Sequence, residues 1–184
     1  MATDEFLADP AELAVWLKKP ADDPQLLAAL RAATRRFRGA VGHPVTLVTD
    51  DAVTLDGNGR ESLLLPVWPT VSVTSVHLAG ELLVEGTDYQ WSDDGALRRL
   101  GGRHWPDRLR CLAVVYTHGW IEVPGDVAEV IIDQARSIAK VTPGVQSKTV
   151  GGQSVTFGAQ AAIGVTDQWA KAVTRHAVRT SGDC

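Results

Sequence analysis

The sequence predicts an α+β fold in which about four helices surround an antiparallel β insertion, with a hairpin and a helix near the C-terminal end. Apolar residues recur at helical spacing at both ends of the chain, whereas the spacing is strand-like from Val45 to Thr117. Turn residues interrupt that middle stretch. We therefore expect residues 1–43 and 120–184 to form a helical core and residues 44–119 to form the insertion, as one compact unit or two lobes.

The first two helices have the same kind of start signal. Asp9-Pro10 and Asp23-Pro24 each combine an N-cap acceptor with a proline whose missing N–H is harmless in the first turn. The apolar face of the second helix comprises Leu26, Leu30, Ala33 and Phe37. Its arginines, Arg31, Arg35 and Arg38, cluster on another face, and we expect Gly39 and Gly42 to end the helix.

The middle of the chain contains eight short segments that are rich in valine and leucine. The turns Asp56-Gly57-Asn58-Gly59, Ala79-Gly80 and Asp93-Asp94-Gly95 supply positions for tight hairpins, which predicts an antiparallel meander. Residues 110–117 carry apolar side chains on both sides of the segment. This pattern predicts a central strand that is covered on both faces.

The helical pattern returns at Val123-Pro124-Gly125-Asp126 and forms an apolar stripe from Val127 to Val141. Residues 148–157 then predict a two-stranded hairpin with a Gly-Gly turn, which is too small to be stable alone. A last helix begins near Thr166 and has one face made of Trp169, Ala172, Val173 and His176. We expect this hairpin and helix to leave apolar surface that a partner covers.

Composition argues against several functional classes. The chain has 184 residues with 18 basic and 22 acidic side chains, so its net charge of -4 opposes tight binding to nucleic acid. The two cysteines, Cys111 and Cys184, form no disulfide or metal framework. The N-terminus carries acids where a signal peptide needs basic residues, and no apolar run approaches the roughly 20 residues that span a membrane.

No catalytic, cofactor-binding or metal-binding residue is predicted. The five histidines are scattered singly, without the i, i+4 pair that zinc sites on helices use. Gly151-Gly152-Gln153-Ser154 lacks the lysine of a phosphate-binding loop and the frame of a nucleophile elbow. The stretch from Asp56 to Glu61 places arginine where a calcium loop needs a ligand.

The basic cluster of Arg31, Arg35 and Arg38 allows two interpretations. It can contact DNA, or it can be a solvated face that pairs with acids on a neighbouring subunit, which the acidic total favours. Together with the predicted C-terminal hairpin and helix, it provides the candidate interface with a partner protein or between subunits. That set comprises Arg31, Arg35, Arg38, Lys148, Val150, Val155, Phe157, Trp169, Val173 and His176.

Several stretches together resemble the head-to-tail adaptor (connector) proteins of siphophages and prophages, especially those of actinobacterial hosts. The matching stretches in the first half are Leu7-Ala8-Asp9-Pro10, Leu26 to Leu30, Arg36-Phe37-Arg38, Val73 to Val76 and Asp88 to Trp91. Those in the second half are Gly95 to Arg99, Trp105-Pro106, Val115 to Gly119, Val123 to Val127 and Val150 to Gly158. The resemblance covers nearly the whole chain.

The resemblance implies a structural, non-enzymatic protein of the virion neck that is present in the host cytoplasm during assembly. Such proteins form a ring, typically of twelve copies, beneath the portal and above the head-closure or stopper protein, and DNA passes through the lumen. No cofactor and no membrane are implied. This chain differs from the smallest adaptors, which are almost entirely helical, by its long β insertion.

Two other functional classes are compatible with the sequence. Aromatic residues near turns, such as Trp91 and Trp105, would suit a carbohydrate- or peptide-binding β module with helical flanks. A small hydrolase that uses Asp or His residues is the other alternative, although the sequence assembles no catalytic set for it.

Overall fold

The computed structural model describes residues 6–140, 147–150, 153–156 and 166–179, and the chain divides into two compact units. The helical unit comprises Met1–Val41 and Val123–His176, and the β unit comprises Gly42–Glu122 and Ala177–Cys184. Four helices and three antiparallel sheets occur in the described residues. The predicted α+β fold, with its β insertion between the second and third helices, is confirmed.

The helical unit contains α1 (Pro10–Leu17), α2 (Pro24–Val41), α3 (Gly125–Lys140) and α4 (Asp167–His176). Both predicted N-caps are present. Asp9 Oδ1 accepts a hydrogen bond from the Ala11 amide at 2.8 Å, and Asp23 Oδ1 accepts from the Leu26 amide at 3.0 Å. The hydrogen bond from Leu26 holds the pKa of Asp23 below its usual range.

Helix α2 packs against the three other helices of the helical unit. Its predicted apolar face is confirmed, because Leu26, Leu30, Ala33 and Phe37 are all fully buried. The predicted end of the helix is only partly right. Gly39 lies inside the helix, and the left-handed φ of +82° that ends it belongs to Gly42.

The β unit contains β1 (Val48–Leu55), β2 (Ser62–Leu64), β3 (Thr70–Leu78), β4 (Glu81–Leu83), β5 (Tyr89–Trp91), β6 (Ala96–Arg99) and β7 (Leu112–His118). They form one sheet in the order β1-β7-β3-β4 and a second in the order β2-β6-β5. The core of the unit includes Leu65, Leu97, Trp105, Leu112 and Tyr116.

The predicted meander is wrong, because β7 lies between β1 and β3. Ala79-Gly80 and Asp93-Asp94-Gly95 do join hairpins, but Asp56-Gly57-Asn58-Gly59 does not. That loop packs against residues 106–108 instead. The Gly57 amide donates to the Arg108 carbonyl at 2.9 Å, and a Cβ atom on Gly57 would lie 1.9 Å from the Pro106 carbonyl oxygen.

Strand β7 is central, as predicted, but it is not covered on both faces. Leu112, Val114 and Tyr116 are buried, whereas Ala113 is exposed and Val115 is only half-buried. The neighbours of Ala113 in the sheet are the polar residues Thr54 on β1 and His77 on β3. A face made of such residues does not need a second layer, so only one side of the sheet is buried.

Candidate assembly surfaces

The basic face of α2 is open to solvent and contains one of the predicted interface residues, Arg35. We use this name for Ala28, Ala32, Arg35, Arg36 and Gly39. All are exposed except Ala32, which is half-buried, and helical spacing places 28, 32, 35 and 39 in one line. No acidic residue occurs between Pro24 and Val41, so the solvent side of the helix is positively charged.

The two other predicted arginines flank this face and are only half-buried. The guanidinium carbon of Arg31 lies 5.8 Å from the centroid of the Phe6 ring, which is within reach of a cation–π interaction. Arg38, in the last turn of α2, is half-buried. Arg35 and Arg36 are therefore the arginines of α2 that a partner can reach most directly.

Helix α4 buries its apolar face in the helical unit, so the expectation that this face remains open for a partner is wrong. Trp169 and Ala172 are 7% and 4% exposed, and the indole packs edge-on against Phe37. His176 is also buried, with Nε2 3.3 Å from Asp126 Oδ2, and Val173 is half-buried. Lys171 and Arg175 remain on the exposed side.

The predicted C-terminal hairpin is present as β8 (Ser147–Val150) and β9 (Gln153–Thr156). The two strands pair antiparallel, with Val150 opposite Gln153. Three of the predicted interface residues lie on these strands, namely Lys148, Val150 and Val155. Phe157 lies outside the described residues. Among the described strands, β8 and β9 pair only with each other, so their outer edges keep unpaired backbone groups.

A groove between α1 and α3 is a second open surface of the helical unit. We call it the acidic groove. It has a volume of about 480 Å³ and is lined by Glu12, Trp16, Gly125, Ala128, Glu129, Ile132, Asp133 and Arg136. Trp16 is 61% exposed, and the neighbouring Val15 is 77% exposed. These two side chains leave apolar surface on α1 open to solvent.

Acidic side chains outnumber basic side chains in this groove. Arg136 places its guanidinium carbon 4.3 Å from the centroid of the Trp16 ring and donates to Asp133 Oδ1 at 3.0 Å. Glu12 and Glu129 are exposed and have no ion pair within the described part of the chain. The groove therefore keeps a net negative charge next to an exposed indole.

Residues 177–179, which we call the C-terminal segment, were predicted to continue the last helix. Instead α4 ends at His176, and these residues belong to the β unit. The Arg179 amide donates to the Pro66 carbonyl at 2.9 Å, and its guanidinium donates to the Asp94 carbonyl. The guanidinium also lies 5.2 Å from the Trp68 ring. The C-terminal segment is thus fixed to the β unit by backbone and side-chain contacts.

Comparison with known protein families gives a match over most of the chain. The family model described as head completion protein matches residues 13–168. The chain belongs to the head completion protein family. This match includes the second half of α1, the entire β insertion and the beginning of α4. The prediction that the protein is a structural component of the phage neck is confirmed at the level of the family.

Two solved structures with the same fold come from gene transfer agent (GTA) particles. One is described as the neck of a native GTA particle computed with C12 symmetry; it is 22% identical, with 95% of this chain and 92% of that chain covered and a TM-score of 0.50. The other is described as the neck of an empty GTA particle computed with C6 symmetry; it is 20% identical, with 94% and 91% covered and a TM-score of 0.52. A search of curated proteins gave no match.

Two buried polar residues of the β unit, His118 and Tyr116, have structural contacts. His118 is buried with Nε2 3.0 Å from Asp51 Oδ2, and the Tyr116 hydroxyl accepts a hydrogen bond from the Val67 amide at 3.4 Å. Burial raises the pKa of Tyr116 to about 12, and the nearby Asp51 adds to this shift. In the described ranges, no group of three or more His, Cys, Asp or Glu side chains could hold a metal ion.

The aromatic residues that would suit a carbohydrate-binding module are not open to a ligand. Trp105 is fully buried, and its Nε1 donates to the Leu97 carbonyl at 3.1 Å. Trp91 is half-buried, and its Nε1 donates to Glu85 at 2.8 Å. None of the described helices has both the length and the apolar character needed to cross a membrane.

Sequence reasoning missed the acidic groove and the contacts of Arg179. Trp16 was not among the predicted interface residues, although Glu12 at i−4 indicates a solvent-facing side of α1. That spacing was the available signal. For Arg179 there was no such signal, because its partners Pro66, Trp68 and Asp94 are more than 80 residues away in the chain.

Proposed function

We propose that the chain assembles with copies of itself into a ring in a virion neck, where it joins the portal to the head-closure protein and lets DNA pass through its lumen. The observation that carries this proposal is the family match, which runs from residue 13 to residue 168. Support for a ring comes from the symmetry of the necks with this fold, which were computed with C12 and C6 symmetry. We propose twelve copies.

The candidate contacts with other subunits or with the portal comprise the arginines of α2 and the C-terminal hairpin. Arg31, Arg35 and Arg38 can pair with acids on a neighbour, and β8 and β9 can add a strand to another sheet. Trp169 and His176 are buried, so we propose that they act indirectly by holding α4 in place. Val173, which is half-buried, can contribute at the edge of such a contact.

The charge of the chain suits a channel through which DNA moves. Each phosphate that a protein neutralises adds salt-dependent affinity, which would hold DNA in place. A net charge of -4 keeps that affinity small. We therefore propose that DNA is a passing molecule and not a tightly bound ligand of the ring.

Multi-angle light scattering of the purified chain, alone and mixed with portal rings, tests this proposal. We expect either a particle of about twelve times 19.7 kDa in the chain alone or a stable complex of the chain with the portal ring. The proposal fails if the chain remains a monomer at the highest soluble concentration and does not bind the portal.

A further inference from the structure

We propose that the ring closes head-to-tail, with the basic face of α2 in one subunit docked into the acidic groove between α1 and α3 of the next. This inference rests on the proposed function, because it names the contact by which a second copy of this chain is recognised. It is carried by two surfaces of the helical unit that have opposite charge and lie on different helices.

The groove has features that are typical of a surface that binds another protein chain. Trp16 is 61% exposed, and tryptophan is among the residues that most often dominate the binding energy of an interface. Arg136 stacks on one side of the indole and orients it. Glu12 and Glu129 line the same groove. A partner of the groove must therefore cover the indole and place positive charge beside these two carboxylates.

The basic face of α2 can cover the indole and supplies positive charge. Ala28, Ala32 and Gly39 form a line of small residues, and a Cβ atom placed on Gly39 would have no neighbour within 4 Å. A helix with such a surface allows a bulky aromatic group to approach its backbone closely. Arg35 lies in the same line and Arg36 beside it, where they can reach carboxylates on both sides of the groove.

The two surfaces favour a ring over a dimer through either surface alone. In a twofold dimer centred on the basic face, that face meets itself, which would place the arginines of α2 against each other. Pairing of two different patches instead repeats from one subunit to the next and closes into a ring when the rotation allows it. Opposite charges also favour the pairing of the basic face with the acidic groove, because a pairing that brings like charges together is disfavoured.

Charge reversal provides the test. The basic-face variant carries Arg35→Glu and Arg36→Glu, and the groove variant carries Glu12→Arg and Glu129→Arg. We expect each variant alone to lose at least about tenfold in association constant, because each creates a like-charge contact in every interface. An equimolar mixture of the two should assemble again, as alternating subunits, and so should a chain with all four substitutions.

The matched control is Arg108→Glu with Arg110→Glu, which reverses two exposed arginines of the β unit and should leave assembly unchanged. Glu12 lies in the first turn of α1, so Glu129→Arg alone serves as a second groove variant that leaves that turn intact. Thermal melts of every variant confirm folding. Assembly is measured by light scattering, on portal rings if the wild-type chain requires them.

The outcomes separate this inference from the proposed function. If the wild-type chain forms rings and both variants form them equally well, head-to-tail docking through these surfaces is wrong while the ring stands. If each variant fails alone and the mixture also fails, the two surfaces do not face each other, and the inference falls. A loss of DNA binding in the basic-face variant without any loss of assembly would likewise overturn it. If the wild-type chain assembles neither alone nor on portals, both proposals fail.

Discussion

The indole of Trp169 meets the phenyl ring of Phe37 edge-on, with ring centroids 5.2 Å apart and an interplanar angle of 88°. This contact joins α4 to α2 across a gap of more than 130 residues in the chain. Both side chains are buried, so the apolar face of the last helix contributes to the core of the helical unit. On α2 and α4, the surfaces that remain for assembly are therefore the charged sides of the helices.

Truncation of Trp169 should destabilise the helical unit. We expect Trp169→Ala to lower the free energy of unfolding by about 3–5 kcal/mol, because it removes a buried aromatic side chain and leaves a cavity beside Phe37. Chemical denaturation followed by circular dichroism measures the change. Trp16→Ala is the matched control, since Trp16 is 61% exposed and its main contact is the cation–π interaction with Arg136, so it should cost less than about 1 kcal/mol.

Substitutions at two glycines should change the free energy of unfolding in opposite directions. Gly57→Ala should destabilise the β unit by about 1–3 kcal/mol, because its Cβ atom would lie 1.9 Å from the Pro106 carbonyl oxygen and one of the loops must move. Gly39→Ala should stabilise α2 by about 0.5–1 kcal/mol, because the site is open and lies inside a helix. Thermal unfolding of both variants measures this. Equal shifts would show that at least one of the two positions does not have the stated environment.

The two tyrosines should ionise only at high pH in the folded protein. Burial raises the pKa of Tyr89 above its usual value and that of Tyr116 to about 12. The unfolded chain loses these protons near pH 10, so stability is complete below that pH and is lost as the pH rises toward 12. Tyrosinate absorbance should therefore appear later in the folded protein than in urea.

Tyr116→Phe provides the control for this titration. It should remove the later of the two absorbance changes and reduce the alkaline loss of stability. At neutral pH it should also destabilise the β unit by about 1–3 kcal/mol, because the buried Val67 amide loses its acceptor. Ionisation of Tyr116 near pH 10 in the folded wild-type protein would contradict the burial of its hydroxyl.

The sequence predicted those features whose chemistry is local. Asp9 and Asp23 mark helix starts because an N-cap acts on amides only two or three residues away. The hairpin between β3 and β4 was predictable because Ala79 and Gly80 themselves adopt the positive φ values that the turn needs. The wide apolar face of α2 was visible from its spacing alone.

Long-range pairing was not predictable from these signals. Nothing near Leu112 indicates that β7 enters between β1 and β3, because its partners lie about 60 residues and about 35 residues earlier in the chain. The same reason explains the incorrect prediction for Gly57, whose local sequence is typical of a turn but whose packing partner is Pro106. The groove was missed because periodicity does not show which apolar residue of a short helix stays exposed.

The C-terminal segment offers a test of such a long-range contact. Arg179 stacks its guanidinium 5.2 Å from the Trp68 ring and donates to the Asp94 carbonyl, while its amide donates to the Pro66 carbonyl. Arg179→Ala removes the side-chain contacts and leaves the amide contact, so the segment should open more often. We expect amide exchange at residue 179 to rise roughly tenfold, which corresponds to a loss of about 1–2 kcal/mol.

Two further variants show which part of Arg179 holds the C-terminal segment. Arg175→Ala removes an arginine that is 66% exposed and pairs with Asp126 in the helical unit, so exchange at residue 179 should not change. Arg179→Lys keeps the charge but loses the planar group that stacks on Trp68, so its exchange rate should fall between those of the wild type and the alanine variant. If the lysine variant exchanges like the wild type, a positively charged hydrogen-bond donor is sufficient at this position and the planar stacking contributes nothing. If the alanine variant does so as well, the backbone hydrogen bond to Pro66 is sufficient, and the side chain of Arg179 has no role in fixing the segment to the β unit.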